Sequence, residues 1–397
     1  MTTVSTAQGQ GVTAAAGFRS AGITAGLKAS GKPDLALVVN DGPLRAAAGV
    51  FTANRVKAAP VRWCEQIFSG TGNSAPAVAA VVLNSGGANA CTGPAGYADT
   101  VATAEHLASL LDLGPTQIAV ASTGLIGARL PMDKIMSGSA AAVAALADDG
   151  GPAAATAILT TDTVPKQVAL TAGGFTVGGM AKGAGMLAPA LATMLVVLTT
   201  DAVADNAALD TALRAATRVS FDRLDSDGAM STNDTVLLLA SGASGAQPSQ
   251  EVLTAVVTKA CKELAVQLLG DAEGATKEIS VEVVHAASEE DAVEVGRVVA
   301  RNGLVKTAFF GGDPNWGRIL AAVGTSKAAF DPDSIDVAIN GVWICRQGSN
   351  GADRALVDLS ARKVHVVIDL HAGVEVATIL TNDLSHAYVH ENSAYST

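Results

Sequence analysis

Leu35-Ala-Leu-Val-Val39 is apolar at every position and stops at an Asn-Asp-Gly-Pro turn. A short run with no polar face reads as a buried strand. Ala77 to Leu83 is a second such run, and it ends in the glycine-rich NSGGANACTG of residues 84–93. A helix is predicted from about Ala98, with Ala102, His106, Leu107, Leu110 and Leu111 on one face and Gly114 as its stop. Gln117 to Ala121 is the next strand, running into STGLIG. The Ala140–Ala157 stretch, rich in alanine, reads as helix, loop, helix.

The second half repeats the alternation. Gln250 to Leu269 places Leu253, Val256, Val257, Ala260, Cys261, Leu264 and Leu268 on one helical face, closed by Gly270. Ile279, Val281 and Val283 alternate with polar residues, as a strand does. Ser288-Glu-Glu-Asp291 has the form of a helix cap. Asn340-Gly341 marks a hairpin within 336–345, and Lys363–Asp369 and Val374–Leu380 read as strands joined through HAG. The fold class is therefore α/β (or α+β) with substantial sheet, and periodicity leaves the strand order open. A chain of 397 residues exceeds the ~250–300 at which one core stops growing, so two lobes are expected. With 4% aromatics and 41 glycines, packing must be backbone-close.

Composition excludes several functions. The formal charge is −11 and no basic block occurs, which argues against a nucleic-acid partner. The most apolar run, Met186 to Leu198, contains a proline and falls short of the ~20 residues that a bilayer needs, so no membrane span is expected. The N-terminus lacks the pattern of a signal peptide, and the four scattered cysteines read as reduced thiols, so a cytoplasmic protein is expected. No metal is expected: there is no CxxC or HExxH, and of the six histidines only His386 and His390 are spaced as ligands. GGMAKGAG lacks the Ser or Thr that a phosphate loop needs after Gly-Lys, and no GxGxxG or GxSxG occurs. No cofactor is implied.

Thr193 stands out in KGAGMLAPALATMLVVLTTDA, residues 182–202. An internal threonine has no base of its own. A threonine at a chain's N-terminus does, because an α-amine with a pKa near ~7.7–8.0 can take the hydroxyl proton. Exposing it requires a cut after Ala192, by attack of Thr193 Oγ on the Ala192 carbonyl. From these residues alone, the plainer reading is a buried strand whose threonine bonds the backbone.

The wider sequence changes that balance. KGAGMLAPALATML resembles the self-cleavage site of the ornithine acetyltransferase (glutamate N-acetyltransferase) family of arginine biosynthesis. FTANRVKAAPV (51–61), NSGGANACTG (84–93), ASTGLIG (121–127), TTDT (160–163), STNDTV (231–236), GDPNWGRI (312–319) and NSAYST (392–397) resemble that family's segments in its order. The likeness spans essentially the whole chain. It implies an α chain of residues 1–192 and a β chain of 193–397, assembled as an α2β2 heterotetramer. It also implies a layered α/β sandwich like that of N-terminal-nucleophile enzymes, with the family's own topology. The implied reaction carries an acetyl group from N2-acetylornithine to L-glutamate through acetyl-Thr193, without a cofactor, and leaves acetyl-CoA open as a second donor.

Residue by residue, the resemblance implies Thr193 as nucleophile and Thr123 with Gly124 as the oxyanion hole. It implies substrate contacts from Thr160, Lys182, Thr193, Glu273, Asn392 and Thr397, with Thr161 an open neighbour to Thr160. NSGGANACTG and GDPNWGRI read as tight turns where glycine lets backbones approach. In DSDGAMSTNDTV, Ala229-Met230 is less polar than the family pattern, which leaves that segment's role open. The rival readings are a hydrolase of the same nucleophile class, with water as acceptor, and an uncleaved small-molecule-binding protein.

Overall fold

The runs read as buried strands form the middle of two stacked sheets. The computed structural model describes residues 5–6, 10–70, 77–186 and 194–394. Ala192, Thr193 and Thr397 lie outside the described residues.

The first sheet has six strands in the order Ser5–Thr6, Lys166–Ala172, Phe175–Lys182, Leu195–Thr200, Thr235–Ala240, Ala46–Phe51. Leu195–Thr200 and Thr235–Ala240 run parallel inside it and are buried at every position. The second sheet has four strands, ordered Phe18–Ile23, Leu35–Asn40, Ala80–Gly87, Ile118–Leu125. Leu195, Val197, Leu237 and Leu239 join the core shared with the second sheet. Their neighbours Val196, Leu198, Val236 and Leu238 pack instead with Leu209, Leu213, Val257 and Leu264 of the helices Asn206–Arg218 and Gln250–Gly270. Alternate side chains of one strand thus serve two layers, the period-two rule of a pleated strand. Helices Gly93–Leu111 and Met132–Ala144 cover the far side of the second sheet, which gives a helix–sheet–sheet–helix sandwich.

A third sheet has the order Ser349–Asn350, Val342–Arg346, Asp336–Ile339, Lys363–Asp369, Glu278–Ala286, Glu375–Asn382. It carries its own core beneath helix Glu289–Ala300. The described residues therefore hold three principal cores, two of them sharing a sheet, where length alone suggested two lobes.

The Gln250 helix buries the whole face read from its spacing. Ser288 caps its helix by accepting from Asp291 N at 3.1 Å, and Asn340 and Gly341 turn the hairpin with φ of +48° and +82°. Other expectations need correcting. The second run enters its strand at Ala80 and continues through NSGG to Gly87, so this segment is paired strand before it turns. The following helix starts at Gly93, not Ala98, and buries Gly96, Asp99, Thr100, Thr103, Ala104, Leu107 and Ala108. Leu110 is exposed. Small and polar residues win that face because their hydrogen bonds are inside: Thr100 accepts from Asn89 Nδ2 at 2.9 Å, and Asp99 accepts from Arg129. The two strands joined through HAG form as read, at Lys363–Asp369 and Glu375–Asn382, and Glu278–Ala286 lies between them in the sheet.

Candidate active site

One small cavity, about 90 Å³, gathers residues from seven separate segments. Thr123 and Gly124 come from the end of Ile118–Leu125, Thr160 and Thr161 from the loop after helix Gly151–Ala157, and Lys182 from the last position of Phe175–Lys182. Glu273 follows the Gln250 helix, Asn392 lies on the helix His386–Ala394, and Asn233 precedes the Thr235 strand. Every site residue expected from the sequence that falls among the described residues lines this space. A wider groove of about 580 Å³ beside Arg223 and Arg297 contains none of them.

Thr123 is 1% exposed, and its hydroxyl has no hydrogen-bond partner among the described residues. A buried hydroxyl left unpaired costs about 1–3 kcal/mol, which a ligand oxygen would relieve. Gly124 has φ +125°, and a Cβ there would lie 2.6 Å from Gly86 C and Gly87 N. Only glycine fits where the two strand ends meet so closely. These strand ends are held by the segment leading into a third strand: Asn233 Nδ2 donates to Ala88 O at 2.6 Å and to Ser122 O at 2.9 Å. The carbonyl just before Thr123 is therefore fixed.

The charged side of the cavity is built on Asp162. Its buried carboxylate accepts from Lys166 Nζ and from Gly183 N at 2.6 Å, and lies 3.6 Å from Lys182 Nζ. Burial works to raise the Asp162 carboxyl, but Lys182 and Lys166 outweigh it and hold it well below the usual carboxylate range. Lys182 is 2% exposed and donates to Thr160 Oγ1 at 2.8 Å. Burial pushes its ammonium below the ordinary lysine value, with Asp162 opposing. Thr161 lines the cavity without that bond.

Glu273 is fixed at both ends: its N–H donates to Ala184 O at 2.9 Å, and Oε2 accepts from Asn392 Nδ2 at 3.0 Å. A Cβ on Gly185 would lie 2.6 Å from Glu273 Oε2. The glycines of KGAG thus let the carboxylate lie against the backbone that carries Lys182.

Asp234 continues the Asn233 segment. It is fully buried, and Oδ1 accepts from Met194 N at 3.0 Å. Oδ2 has no hydrogen bond of sound geometry among the described residues; Thr52, although close, gives its proton to Ser231 O at 2.7 Å. Burial pushes this carboxyl well above its ordinary value, against the Met194 amide and the nearby Ser231 and Thr52 hydroxyls.

Sequence reasoning gave no role to Asp162, Asn233 or Asp234. The signal was present as charge and amide packed into TTDT and STNDTV, each next to a largely buried strand. His386 and His390, the two histidines with ligand-like spacing, share the C-terminal helix, and His386 packs edge-on against Phe310. No helix among the described residues is long and apolar enough to cross a membrane. GDPNWGRI starts a helix, with Asn315 Oδ1 accepting from Arg318 N at 3.1 Å.

The model of the ArgJ family matches residues 19–397. The arginine biosynthesis bifunctional protein ArgJ of Streptomyces avermitilis is 65% identical over 385 residues, 97% of this chain and 99% of that one. Its counterpart in Streptomyces coelicolor is 63% identical with the same coverage. Among solved structures, ornithine acetyltransferase from Mycobacterium tuberculosis complexed with ornithine is 58% identical. It covers 47% of this chain and 98% of its own, with a TM-score of 0.44.

Proposed function

We propose, since the chain belongs to the ArgJ family, that it moves an acetyl group from N2-acetylornithine to L-glutamate, giving ornithine and N-acetylglutamate in arginine biosynthesis. The observation that carries this reading is the single cavity in which an unpaired buried hydroxyl, Thr123, lies with the cation Lys182 and the carboxylate Glu273. An α-amino acid offers a carboxylate and an amino group, and the two charges suit it.

The chain first cuts itself between Ala192 and Thr193, giving an α chain of 1–192 and a β chain of 193–397. The Thr193 α-amine then takes the proton of its own Oγ as Oγ attacks the acetyl carbonyl. Negative charge develops on the carbonyl oxygen, where the Thr123 hydroxyl and Gly124 N–H donate to it. A donor in such a position is worth about 2.7–4 kcal/mol. The intermediate collapses to acetyl-Thr193, and the departing ornithine nitrogen takes the proton back. Glutamate enters, its amine attacks the acetyl carbonyl, and the Oγ leaving group recovers a proton. Lys182 holds the substrate carboxylate, Thr160 supports Lys182, and Glu273 with Asn392 receives the free amino group; Thr397 adds a contact from the C-terminus. Support for Thr193 at this place comes from Met194, whose amide bonds to Asp234, next to cavity-lining Asn233.

The enzyme carries the acetyl itself, so this path requires no cofactor. Acetyl-CoA as a second donor would supply the other activity of a bifunctional protein. An α2β2 assembly in the cytoplasm completes the proposal. Intact-mass analysis tests it. Two fragments meeting at Thr193 are expected, becoming one chain of 39.5 kDa in Thr193→Ala. Incubation with acetylornithine should add one acetyl to the fragment beginning at Thr193. A single uncleaved chain indifferent to Thr193→Ala overturns the reading. Acetyl release at equal rates with and without glutamate would instead make it a hydrolase.

A further inference from the structure

Two histidines that are 86 positions apart in the sequence meet over one aspartate at an end of the third sheet. Asp369 is the last residue of Lys363–Asp369 and is 7% exposed. It pairs across the sheet with Val284 on one side and Asp336 on the other. His285 follows Val284, so the parallel register delivers it beside Asp369. Its Nδ1 lies 2.9 Å from both carboxylate oxygens. His371 lies two residues beyond Asp369 and places Nδ1 3.4 Å from Oδ1. The two imidazoles are nearly parallel, with centroids 6.2 Å apart and planes at 18°.

Both histidines have left-handed backbones, with φ of +52° at His285 and +50° at His371. That conformation costs a side chain such as histidine, and it persists only where its surroundings enforce it. The enforcement is visible. His285 O accepts from Ala372 N at 2.8 Å and from Gly373 N at 2.9 Å, so the two histidine-bearing turns are tied together. A Cβ on Gly373 would come within 2.3 Å of Ala286 O, so the approach has no slack. The far nitrogen of His371, Nε2, lies 3.2 Å from Asp336 Oδ2. Asp336 is itself held by Arg346 Nη1 at 2.7 Å and by Gln347 N at 2.7 Å.

We propose that His285, Asp369 and His371 bind one divalent cation of the zinc class, with Asp336 as the carboxylate that orients His371. Nitrogen and oxygen ligands at ~2.0–2.2 Å from a tetrahedral zinc ion lie about 3.3 Å apart, and the spacings of 2.9 and 3.4 Å bracket that edge. Two neutral imidazoles and a carboxylate are a borderline donor set suited to such ions. A ligating histidine commonly donates its other N–H to a carboxylate, which sets tautomer and ring angle. His371 and Asp336 have that relationship, and Arg346 balances the Asp336 charge. Three protein ligands leave a coordination position for water. The short local spacing that marks a metal motif is missing, because sheet pairing and not helix pitch assembles the set. The site is independent of the acetyl-transfer reading.

The test uses the purified protein stripped by chelator and titrated calorimetrically with zinc chloride. Saturable binding at one ion per chain is expected, and cobalt chloride should give the visible absorption of a low-symmetry site. His285→Asn and His371→Asn should each remove it, asparagine being chosen because it tolerates the left-handed backbone. Asp336→Asn should weaken it about 10–100-fold. A His386→Ala/His390→Ala variant should bind as before. Melting in chelator checks that each variant is folded. If there is no one-to-one binding, if zinc affinity is unchanged in folded His285→Asn and His371→Asn, or if binding is lost only with His386 and His390, the proposal is overturned.

Discussion

The Met194 amide donates to Asp234 Oδ1 at 3.0 Å, so the residue that follows Thr193 is held by a buried side chain and not by the sheet ladder alone. The ladder takes over at once, with Thr235 N donating to Met194 O at 3.1 Å. If the chain is cut as proposed, this pair fixes where the new N-terminus begins. Burial favours the neutral acid at Asp234, and an asparagine has the same shape and an equivalent acceptor. Asp234→Asn should therefore keep acetyl transfer within about threefold. Asp234→Ala leaves a buried N–H unpaired, a loss of about 1–3 kcal/mol, and should slow self-cleavage more than tenfold. Urea melts and a cleavage time course check both, and an alanine variant as stable and as fast as its parent would show that Asp234 does not position Met194.

Asn233 acts one step further from the chemistry. Its amide holds Ala88 O and Ser122 O, and so holds the strand end that carries Thr123. Thr123→Ala should lower kcat by about 10²–10³, the usual loss for one oxyanion donor. Asn233→Ala should lower it less, about 10–100-fold, with KM nearly unchanged, because substrate charges are met elsewhere. A rise in KM without a fall in kcat would show that Asn233 serves binding instead.

Gly185→Ala tests the placement of Glu273. The added methyl would stand 2.6 Å from Oε2, so the carboxylate must move while the fold need not. A displacement near 1 Å at a positioning group can cost about 10²-fold. The expected result is a large rise in KM for glutamate and acetylornithine together, shared by Glu273→Gln. An unaltered KM in both variants would take Glu273 out of substrate binding.

Much of this architecture was legible because local rules and tertiary demands agreed. The Gln250 helix has a large apolar stripe, Asn340-Gly341 needs a left-handed turn, and Ser288 has a donor three residues on. The Gly93 helix misled where the rules diverge, since its inward face is glycine, alanine, threonine and Asp99. The cavity's cation and carboxylate were found through family resemblance. Asp162, Asn233 and Asp234 were not, because each is defined by partners distant in sequence: Asn233 reaches back 145 residues to Ala88. His285 and His371 were invisible for the same reason, as no spacing rule links residues joined by a parallel strand pair.

Asp225 gives a prediction about acidity away from the cavity. Its carboxyl is fully buried; Arg301 Nε bonds Oδ2 at 2.7 Å, while Oδ1 has no partner among the described residues. Burial pushes the group up to about 6, with Arg301 opposing but half exposed to water. In the unfolded chain the same carboxyl titrates near ~3.9. Between these values the folded state keeps a proton that the unfolded state has lost. Stability from this group is therefore greatest below about pH 4, falls as pH rises to about 6, and is flat above. Each pH step of one between those two values removes about 1.4 kcal/mol, so the whole fall is about 3 kcal/mol. Asp225→Asn cannot titrate, so its urea-unfolding free energy should gain on the parent by that amount between pH 4 and 7. Parallel pH curves for the two proteins would show that the Arg301 ion pair, and not burial, governs the site.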